Sequence, residues 1–229
     1  MHAFERLIYW DGMSAPAKST RRATRRLLTR PTGGTAELLL DTTAAILSER
    51  SDLEVSFRNI AKRSGLNSAL IKYYFGNKEG LLVALLERDA SLEMGALKRL
   101  VNLPLPADRK LCIHITGVVN AFFRSPYLNR LIHYMIGNGS ARSSNLVKKI
   151  YIDPMVEAYG QIVAQGVEEG VFRQVNAKFL YFSLVGSCEY IFTSINIIAQ
   201  MFKEAKITES LKQRYIDHLI ELTLRGMSK

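Results

Sequence analysis

The sequence predicts an all-α protein with two parts, an N-terminal three-helix helix-turn-helix domain and a larger C-terminal helical domain. Three observations support this fold class. From Thr35 onward, apolar residues recur with the i, i+4, i+7 spacing of one helix face. Two short helical segments flank Gly65, a residue type that readily ends a helix with a positive φ. No segment shows the alternation of apolar and polar residues that is typical of a half-buried strand.

Residues 1–32 are predicted to form a basic, disordered arm. They lack sustained periodicity, and the stretch from Lys18 to Arg30 contains six cations and no acidic residue. This stretch supplies +6 of the formal net charge of +10. A polyanion or an acidic membrane surface suits such a charge balance, but charge alone fits a solvated tail equally well.

Four helices are predicted between Thr35 and Leu100. The first runs from Thr35 to about Arg50. Ser56 is a good N-cap for the second, which ends at Gly65, and Asn67 or Ser68 caps a short third helix. Asn77 caps the fourth, with Glu79 in its first turn, where the helix dipole favours a carboxylate. We assign residues 33–80 to the helix-turn-helix domain and 81–229 to the C-terminal domain.

The third helix is predicted to present a polar face to DNA. Ala69, Lys72 and Tyr73 share one face, and small or polar residues at its leading end would let this helix enter a major groove. Cations and hydroxyls nearby suit phosphate oxygens, and basic arms release counterions from DNA. The candidate DNA-binding residues are Ser56, Arg58, Asn67, Ser68, Ala69, Lys72, Tyr73, Lys78, Arg21, Arg22, Arg25 and Arg26.

Residues 56–82, SFRNIAKRSGLNSALIKYYFGNKEGLL, resemble the signature of the TetR family of transcription regulators. That pattern has a helix starting at Thr or Ser and containing Ile-Ala, a Gly-containing turn, an aromatic-rich ending and then Asn/Ser-Lys-Glu. Leu70 and Lys72 depart from the commonest form of the pattern, which affects the base and phosphate contacts that the resemblance implies. The resemblance implies a dimer that binds double-stranded DNA and responds to a small molecule held by the C-terminal helices.

The C-terminal part is predicted to consist of six helices, at about 107–124, 127–137, 142–152, 154–169, 177–202 and 208–226. Asp153 is predicted to be an N-cap that precedes Pro154 at the first helical position. Helix 177–202 is apolar nearly all round, and helix 208–226 carries an apolar face with Leu211, Tyr215, Leu219 and Leu222. With the family resemblance, these two helices are predicted to form a homodimer interface, whereas packing within one chain is the alternative.

A ligand pocket is predicted among the middle helices, where aromatic and polar-tipped side chains gather. Apolar walls with a few polar groups are typical of small-molecule sites, although such residues equally suit an ordinary core. His114 is interpreted as a core or surface histidine. The candidate ligand-binding residues are Phe122, Phe123, Tyr127, His133, Tyr134, Tyr151, Met155 and Tyr159.

No enzyme activity, cofactor or metal site is predicted. The sequence has no His-Glu-x-x-His motif, and the lone Gly137-Asn138-Gly139 follows a helix and lacks a third glycine. Two cysteines and the lack of a secretory or transmembrane pattern favour the bacterial cytoplasm, near the nucleoid, with no membrane partner.

The expected function is a transcription repressor that binds a palindromic operator as a dimer and is released by a small, mainly apolar ligand. A DNA-binding regulator controlled by a protein partner is the first alternative. An all-α enzyme or lipid carrier is the second.

Overall fold

The computed structural model describes residues 34–229 and confirms the all-α prediction. The predicted basic arm, including Arg21, Arg22, Arg25 and Arg26, lies outside the described residues. Within them, an isolated antiparallel bridge between Phe172 and Ser228 is the extent of β structure. The helices are α1 Gly34–Ser48, α2 Phe57–Ser64, α3 Ser68–Phe75, α4 Lys78–Val101, α5 Ala107–Arg124, α6 Leu128–Gly137, α7 Ala141–Val147, a π-helical segment Lys148–Ile152, α8 Asp153–Glu168, α9 Ala177–Thr193, α10 Ile195–Phe202 and α11 Glu209–Met227.

Helices α1, α2 and α3, residues 34–75, form what we call the head. Its core contains Leu39, Leu47, Ile60 and Ile71, which are almost fully buried. The predicted caps of α2 and α3 are present, because Ser56 Oγ accepts a hydrogen bond from the Asn59 N–H and Asn67 Oδ1 accepts one from the Ala69 N–H. Gly65 has φ +70°, as predicted for the turn.

The junction between α3 and α4 depends on a close backbone approach. Asn77 Oδ1 accepts a hydrogen bond from the Gly80 N–H at 2.8 Å, which caps α4 as predicted. A Cβ at Gly80 would collide with the backbone carbonyl oxygen of Phe75, so only glycine fits this position. Helix α4 then continues to Val101 and spans the predicted domain boundary at residue 80 as one helix.

Helices α5 to α11, residues 107–227, form what we call the body. Helix α5 is central, because it packs against α4, α8, α9 and α11. Its inward residues are apolar, apart from Lys110 and His114. Lys110 Nζ donates to the Val101 carbonyl at 2.6 Å and to Gln165 Oε1 at 2.8 Å, which satisfies its charge locally.

The prediction that Asp153 caps a separate helix is wrong. The chain stays helical from α7 through the π-helical segment into α8, and the Asp153 carboxylate accepts a hydrogen bond from Lys148 Nζ at 2.7 Å. Pro154 lies in the first turn of α8 and has no N–H to donate to the preceding turn. The π-helical turn just before it accommodates this missing bond without breaking the helix.

The predicted continuous helix 177–202 is two helices. Helix α9 ends at Thr193, Ser194 leaves the helical conformation, and α10 is bent away by 78°. The bend brings Ile198 beside Ile191, Ile207 and Leu211 in a small second core. Burial of these side chains explains why tertiary packing prevails over the helical periodicity.

In the described part of the chain, a single helix that is both long enough and apolar enough to cross a membrane is not found. Helices α9 and α10 together have the length and apolar composition of a membrane span, but the 78° bend divides them into two shorter segments.

Candidate nucleic-acid interface and regulatory domain

The outward face of α3 is polar and exposed, and it has no ionic partner among residues 34–229. Asn67, Ser68, Ala69 and Lys72 are exposed, and the Tyr73 side chain is 80% exposed. The Tyr73 ring meets the Tyr74 ring edge to face, with centroids 5.1 Å apart, which holds this aromatic side chain against α3. Ile71, on the opposite side, is fully buried, so α3 is anchored on one face and open on the other.

The charges around α3 are of two kinds. Arg63 of α2 is paired with Glu49, and Lys78 lies 3.7 Å from a Glu54 carboxylate oxygen. Lys78, a predicted phosphate contact, is half-buried, and its charge is partly neutralised by Glu54. By contrast, within residues 34–229 no carboxylate lies within ion-pair distance of Arg58 or Lys72, so these two cations are available to an anionic partner.

Lys62 is a candidate contact that the sequence analysis missed. It is exposed and, within the described part of the chain, has no ion pair. It lies one turn after Arg58 on α2, so the two cations share a face. The i, i+4 spacing of two cations beside the helix-turn-helix was the available signal. The N-caps reduce what Ser56 and Asn67 can offer, because each side-chain oxygen already accepts a backbone N–H.

Helix α6 of the body is bonded directly to the end of α1 in the head. Arg130 Nη2 donates to the carbonyl oxygens of Leu47 at 3.0 Å and Arg50 at 2.8 Å, and Nη1 donates to that of Pro126 at 2.9 Å. Terminal carbonyls carry the negative end of a helix dipole, so a guanidinium is a favourable cap for α1. Partial burial lowers the pKa of Arg130, but the group stays charged.

A second connection runs from α6 through α4 to α1. The Tyr127 hydroxyl donates to the Asp89 carboxylate, which also accepts from Arg88 Nε at 2.8 Å. Arg88 Nη1 donates to Glu37 at 2.9 Å and Asp41 at 2.7 Å, both on α1. Tyr127, predicted to line a ligand pocket, is therefore already committed to this network.

The start of α7 is bonded to the start of α4. Glu79 Oε1 accepts hydrogen bonds from Ser143 Oγ at 2.6 Å and from the Ser140 N–H at 2.8 Å. These bonds hold the pKa of Glu79 below its usual value. The Glu79 carboxylate, which the dipole of α4 is predicted to stabilise, thus also joins α4 to α7.

The remaining predicted ligand residues separate into three environments. His133 and Tyr134 are exposed, so they do not line the interior of this chain. Phe122 is buried and stacks on Phe192 with centroids 6.1 Å apart, and Lys212 lies 4.3 Å above the half-buried Phe123 ring. The other three are buried in the centre of the body: Tyr151, Met155 and Tyr159.

The centre of the body contains polar atoms without a protein partner. His114 Nε2 and the Tyr159 hydroxyl are buried and make no hydrogen bond to the described residues. The two rings meet edge to face with centroids 4.9 Å apart, and Tyr181 meets Tyr159 from the other side at 5.8 Å. Burial lowers the pKa of His114 to about 4 and raises that of Tyr159 well above its usual value. Both groups are therefore neutral at pH 7.

A separate open groove of about 640 Å³ lies between α8 and the first turn of α9. It is lined by three valines, one alanine and one glycine of α8, by Glu168 at the end of that helix and by residues 174–178. None of the predicted ligand residues lines it, and neither does a buried unpartnered polar atom.

An apolar stripe on α9 and α10 is exposed on this chain. Phe179, Phe182 and Tyr190 of α9 are 64–70% exposed, and Met201 of α10 is 70% exposed. Gly186, a small residue within the stripe, is also exposed. The predicted interface face of α11 is largely turned inward: Leu211 and Leu219 are buried, Tyr215 donates to the Ser187 carbonyl at 2.6 Å, and Leu222 remains exposed.

Comparison with known families agrees with this geometry. Residues 39–85 match the model for bacterial regulatory proteins of the tetR family, and residues 104–229 match the model for the tetracyclin repressor-like C-terminal domain. The HTH-type transcriptional regulator EthR of Mycobacterium tuberculosis is 33% identical over 101 residues, which are 44% of this chain and 46% of EthR. The chain thus spans about half the length of the curated relatives it matches.

Solved structures share the whole architecture at low identity. The ketosteroid transcriptional regulator KstR2 of Mycobacterium tuberculosis has a TM-score of 0.67 at 16% identity, covering 89% of this chain and 100% of its own. The regulator FadR of Bacillus subtilis, solved with stearoyl-CoA, has a TM-score of 0.57 at 15% identity, covering 79% and 97%. At these identities the likeness establishes the fold alone.

The fold is that of the helix-turn-helix class, and its third helix, α3, has an open polar face. The two family models together cover most of the described residues, and the chain belongs to the TetR family of bacterial regulators. Regulators of this family bind DNA and dimerise.

Proposed function

We propose that this protein is a transcription repressor that binds a palindromic operator as a homodimer and is released by a small, mainly apolar ligand. The exposed, unpaired polar face of α3 is the observation that carries the proposal. Two heads related by a two-fold axis would place two copies of α3 in successive major grooves, and such symmetry requires a palindromic site.

Within one head, the residues of α3 have distinct roles. Ala69 and Ser68 lie at the leading end and would approach base edges, where small side chains permit close contact. Lys72 and Tyr73 would bond phosphate oxygens, as would Arg58 and Lys62 on α2. Lys78 contributes less, since Glu54 shares its charge.

The homodimer is proposed to form through the apolar stripe of α9 and α10. Phe179, Phe182, Tyr190 and Met201 leave a large apolar surface in water on an isolated chain, and aromatic residues and Met are enriched in protein interfaces. Leu222 would extend this surface on α11. Leu211 and Leu219 are excluded from it because they are buried inside the protomer.

The ligand would act through the contacts between body and head. Arg130, Tyr127 and Glu79 join α6 and α7 to α1 and α4. A ligand that binds more tightly to a body with these helices displaced would shift the population toward heads spaced wrongly for DNA. KstR2 is a ketosteroid transcriptional regulator and FadR was solved in complex with stearoyl-CoA, a molecule with a long apolar chain, and this supports the proposal by analogy.

Selection from a random-sequence duplex library, followed by a mobility-shift assay, tests the DNA claim. The enriched site should be palindromic, and affinity should fall steeply with added salt. Lys72→Ala combined with Tyr73→Ala should weaken binding to the selected duplex at least tenfold, because each phosphate contact contributes to affinity.

Lys149→Ala combined with Tyr134→Ala is the matched control. It removes the same charge and the same aromatic group from exposed positions of the body, and it should leave DNA affinity unchanged. An unaltered affinity of the α3 variant, or binding without salt dependence, would refute the proposed interface.

A further inference from the structure

His114 and Tyr159 form a buried pair of unused hydrogen-bonding groups in the body. His114 Nε2 and the Tyr159 hydroxyl are screened from water and have no protein partner among the described residues. Buried polar groups are almost always bonded, and one left unbonded destabilises a fold. Two such groups on contacting rings, from α5 and α8, indicate a place where a third molecule completes the bonding.

A position with room for a larger side chain lies one helical turn from His114. Gly117 is on α5 one turn after His114, so the two residues share a helix face. A Cβ at Gly117 would meet no atom within 4 Å, although the residue is half-buried. The walls around the pair are apolar or aromatic, with Tyr151, Tyr181 and the buried Cys188 nearby.

The charges around the pair disfavour an anionic ligand. Glu93 and Glu189 are the charged groups whose fields act on Tyr151, and Glu189 also acts on Tyr181. Arg124, the nearest cation to Glu93, is already paired with it at 3.0 Å. Lys110, one turn before His114 on α5, is already bonded to the Val101 carbonyl and to Gln165, so a carboxylate or phosphate beside His114 would lose its hydration without gaining a cation that is free of other partners.

We propose that His114 and Tyr159 are the polar anchor of the effector site, and that the effector is an uncharged, largely apolar molecule with one carbonyl or hydroxyl oxygen. That oxygen has two lone pairs and accepts one hydrogen bond from the Tyr159 hydroxyl and one from the imidazole N–H. The rest of the molecule extends toward the open position at Gly117. This inference rests on the proposed ligand-controlled function and specifies the class of ligand.

Three probes of similar length separate the chemical classes: methyl decyl ketone, laurate and dodecane. Calorimetric titration and thermal unfolding of the full chain measure their binding. The ketone should bind about tenfold more tightly than dodecane, since it gains two neutral hydrogen bonds, and laurate should bind more weakly than the ketone. Equal affinities for ketone and dodecane, or the tightest binding by laurate, would overturn the proposal.

Tyr159→Phe removes the unbonded hydroxyl and keeps the ring. Ketone affinity should fall about fivefold while dodecane affinity stays unchanged. The melting temperature without probe should stay the same or rise, which a merely structural hydroxyl would not produce. Tyr127→Phe is the matched control: its hydroxyl is bonded to Asp89, so this variant should lower the melting temperature and leave ketone affinity unchanged. A lowered melting temperature of Tyr159→Phe with unaltered ketone affinity contradicts the anchor.

Gly117→Leu locates the site independently. Leucine would fill the open space and should abolish ketone binding without unfolding the chain, because it improves the helix propensity of α5. Retained ketone affinity would place the site elsewhere.

Release of the selected duplex is measured in parallel. If the ketone binds but does not release DNA, the effector role is rejected and the anchor is retained. If the ketone still releases DNA from both Tyr159→Phe and Gly117→Leu, the anchor alone is rejected.

Discussion

In the described part of the chain, the head and the body both have hydrogen-bonding groups without protein partners, but in opposite environments. In the head, these groups lie in water on one face of α3, where Lys72 and Tyr73 are exposed. In the body, His114 Nε2 and the Tyr159 hydroxyl are buried in the core. Exposed groups are solvated and do not affect folding, whereas each buried unbonded group costs about 1–3 kcal/mol. The exposed groups of the head therefore do not lower the stability of the fold, whereas the unbonded groups of the body do.

This difference also separates how the two regions recognise their partners. In the proposed function, the head offers cations and small side chains to a charged, hydrated polymer, so its affinity should depend on salt. In the proposed effector site, the body offers two neutral groups among apolar side chains, where a small molecule would be selected by shape and by one hydrogen-bonding atom. Arg130 of α6 and Tyr127, the residue before α6, connect the two regions, and these bonds would link the proposed buried site to the exposed face.

The largest effect is expected at the junction where α4 begins. Gly80→Ala should destabilise the protein by about 3 kcal/mol, because its Cβ would collide with the Phe75 backbone carbonyl, which cannot move without displacing α3. Urea unfolding measures the change. Gly95→Ala in the same helix is the control, since its Cβ would make an ordinary 3.5 Å contact with Arg99. It should be neutral or slightly stabilising, and equal losses in both variants would contradict this explanation.

The buried histidine should make stability depend on pH. The pKa of His114 is about 4 in the fold and about 6.5 when exposed. Between these values the unfolded chain binds a proton that the folded chain does not, so stability falls as pH drops below about 6.5. The contribution of His114 should reduce stability by about 2 kcal/mol between pH 7 and pH 5.

His114→Leu removes this titration, and the difference in unfolding free energy between pH 7 and pH 5 should shrink by that amount. Tyr159→Phe keeps the histidine buried and should leave the difference unaltered, since a phenol does not titrate in this range. If the pH dependence of His114→Leu equals that of the unmodified chain, His114 is not the responsible group.

The connection between head and body predicts a smaller loss. Arg130→Met removes the donor to the Leu47 and Arg50 carbonyls and should cost about 1.5 kcal/mol, the scale of hydrogen bonds from a charged group. Chemical denaturation gives the stability. The DNA affinity of the same variant reports whether the two heads of the proposed dimer keep the spacing that the operator requires.

Arg142→Met serves as the control, because Arg142 is exposed and has no ion pair in the described part of the chain. It should change neither quantity. If Arg130→Met leaves the unfolding free energy unchanged, the cap of α1 has no role in stability.

The smallest effect concerns the caps of the head. Asn67→Ala should lower stability by about 1 kcal/mol through loss of the bond to the Ala69 N–H. Asn67→Ser, which retains an acceptor, should restore most of it in thermal unfolding. If both substitutions destabilise the protein equally, capping does not explain the preference for Asn at this position.

Sequence reasoning predicted the head well because its determinants are local. The caps at Ser56, Asn67 and Asn77 and the positive φ of Gly65 each depend on neighbours within a few residues. It missed Lys62, which periodicity could have found. It was less accurate in the body: Tyr134 and His133 proved exposed, and Tyr127 proved bonded to Asp89.

The sequence by itself determined the helical class, the helix-turn-helix and the family, since periodicity, caps and glycines act over a few residues. The bend at Ser194, the bonds of Arg130 to a helix end 83 residues away and the pairing of His114 with Tyr159 arise only when distant helices pack. Burial, partner and orientation are properties of that packing. The exposed polar face of α3 could therefore be predicted from the sequence, whereas the buried contact between His114 and Tyr159 emerged only from the assembled core.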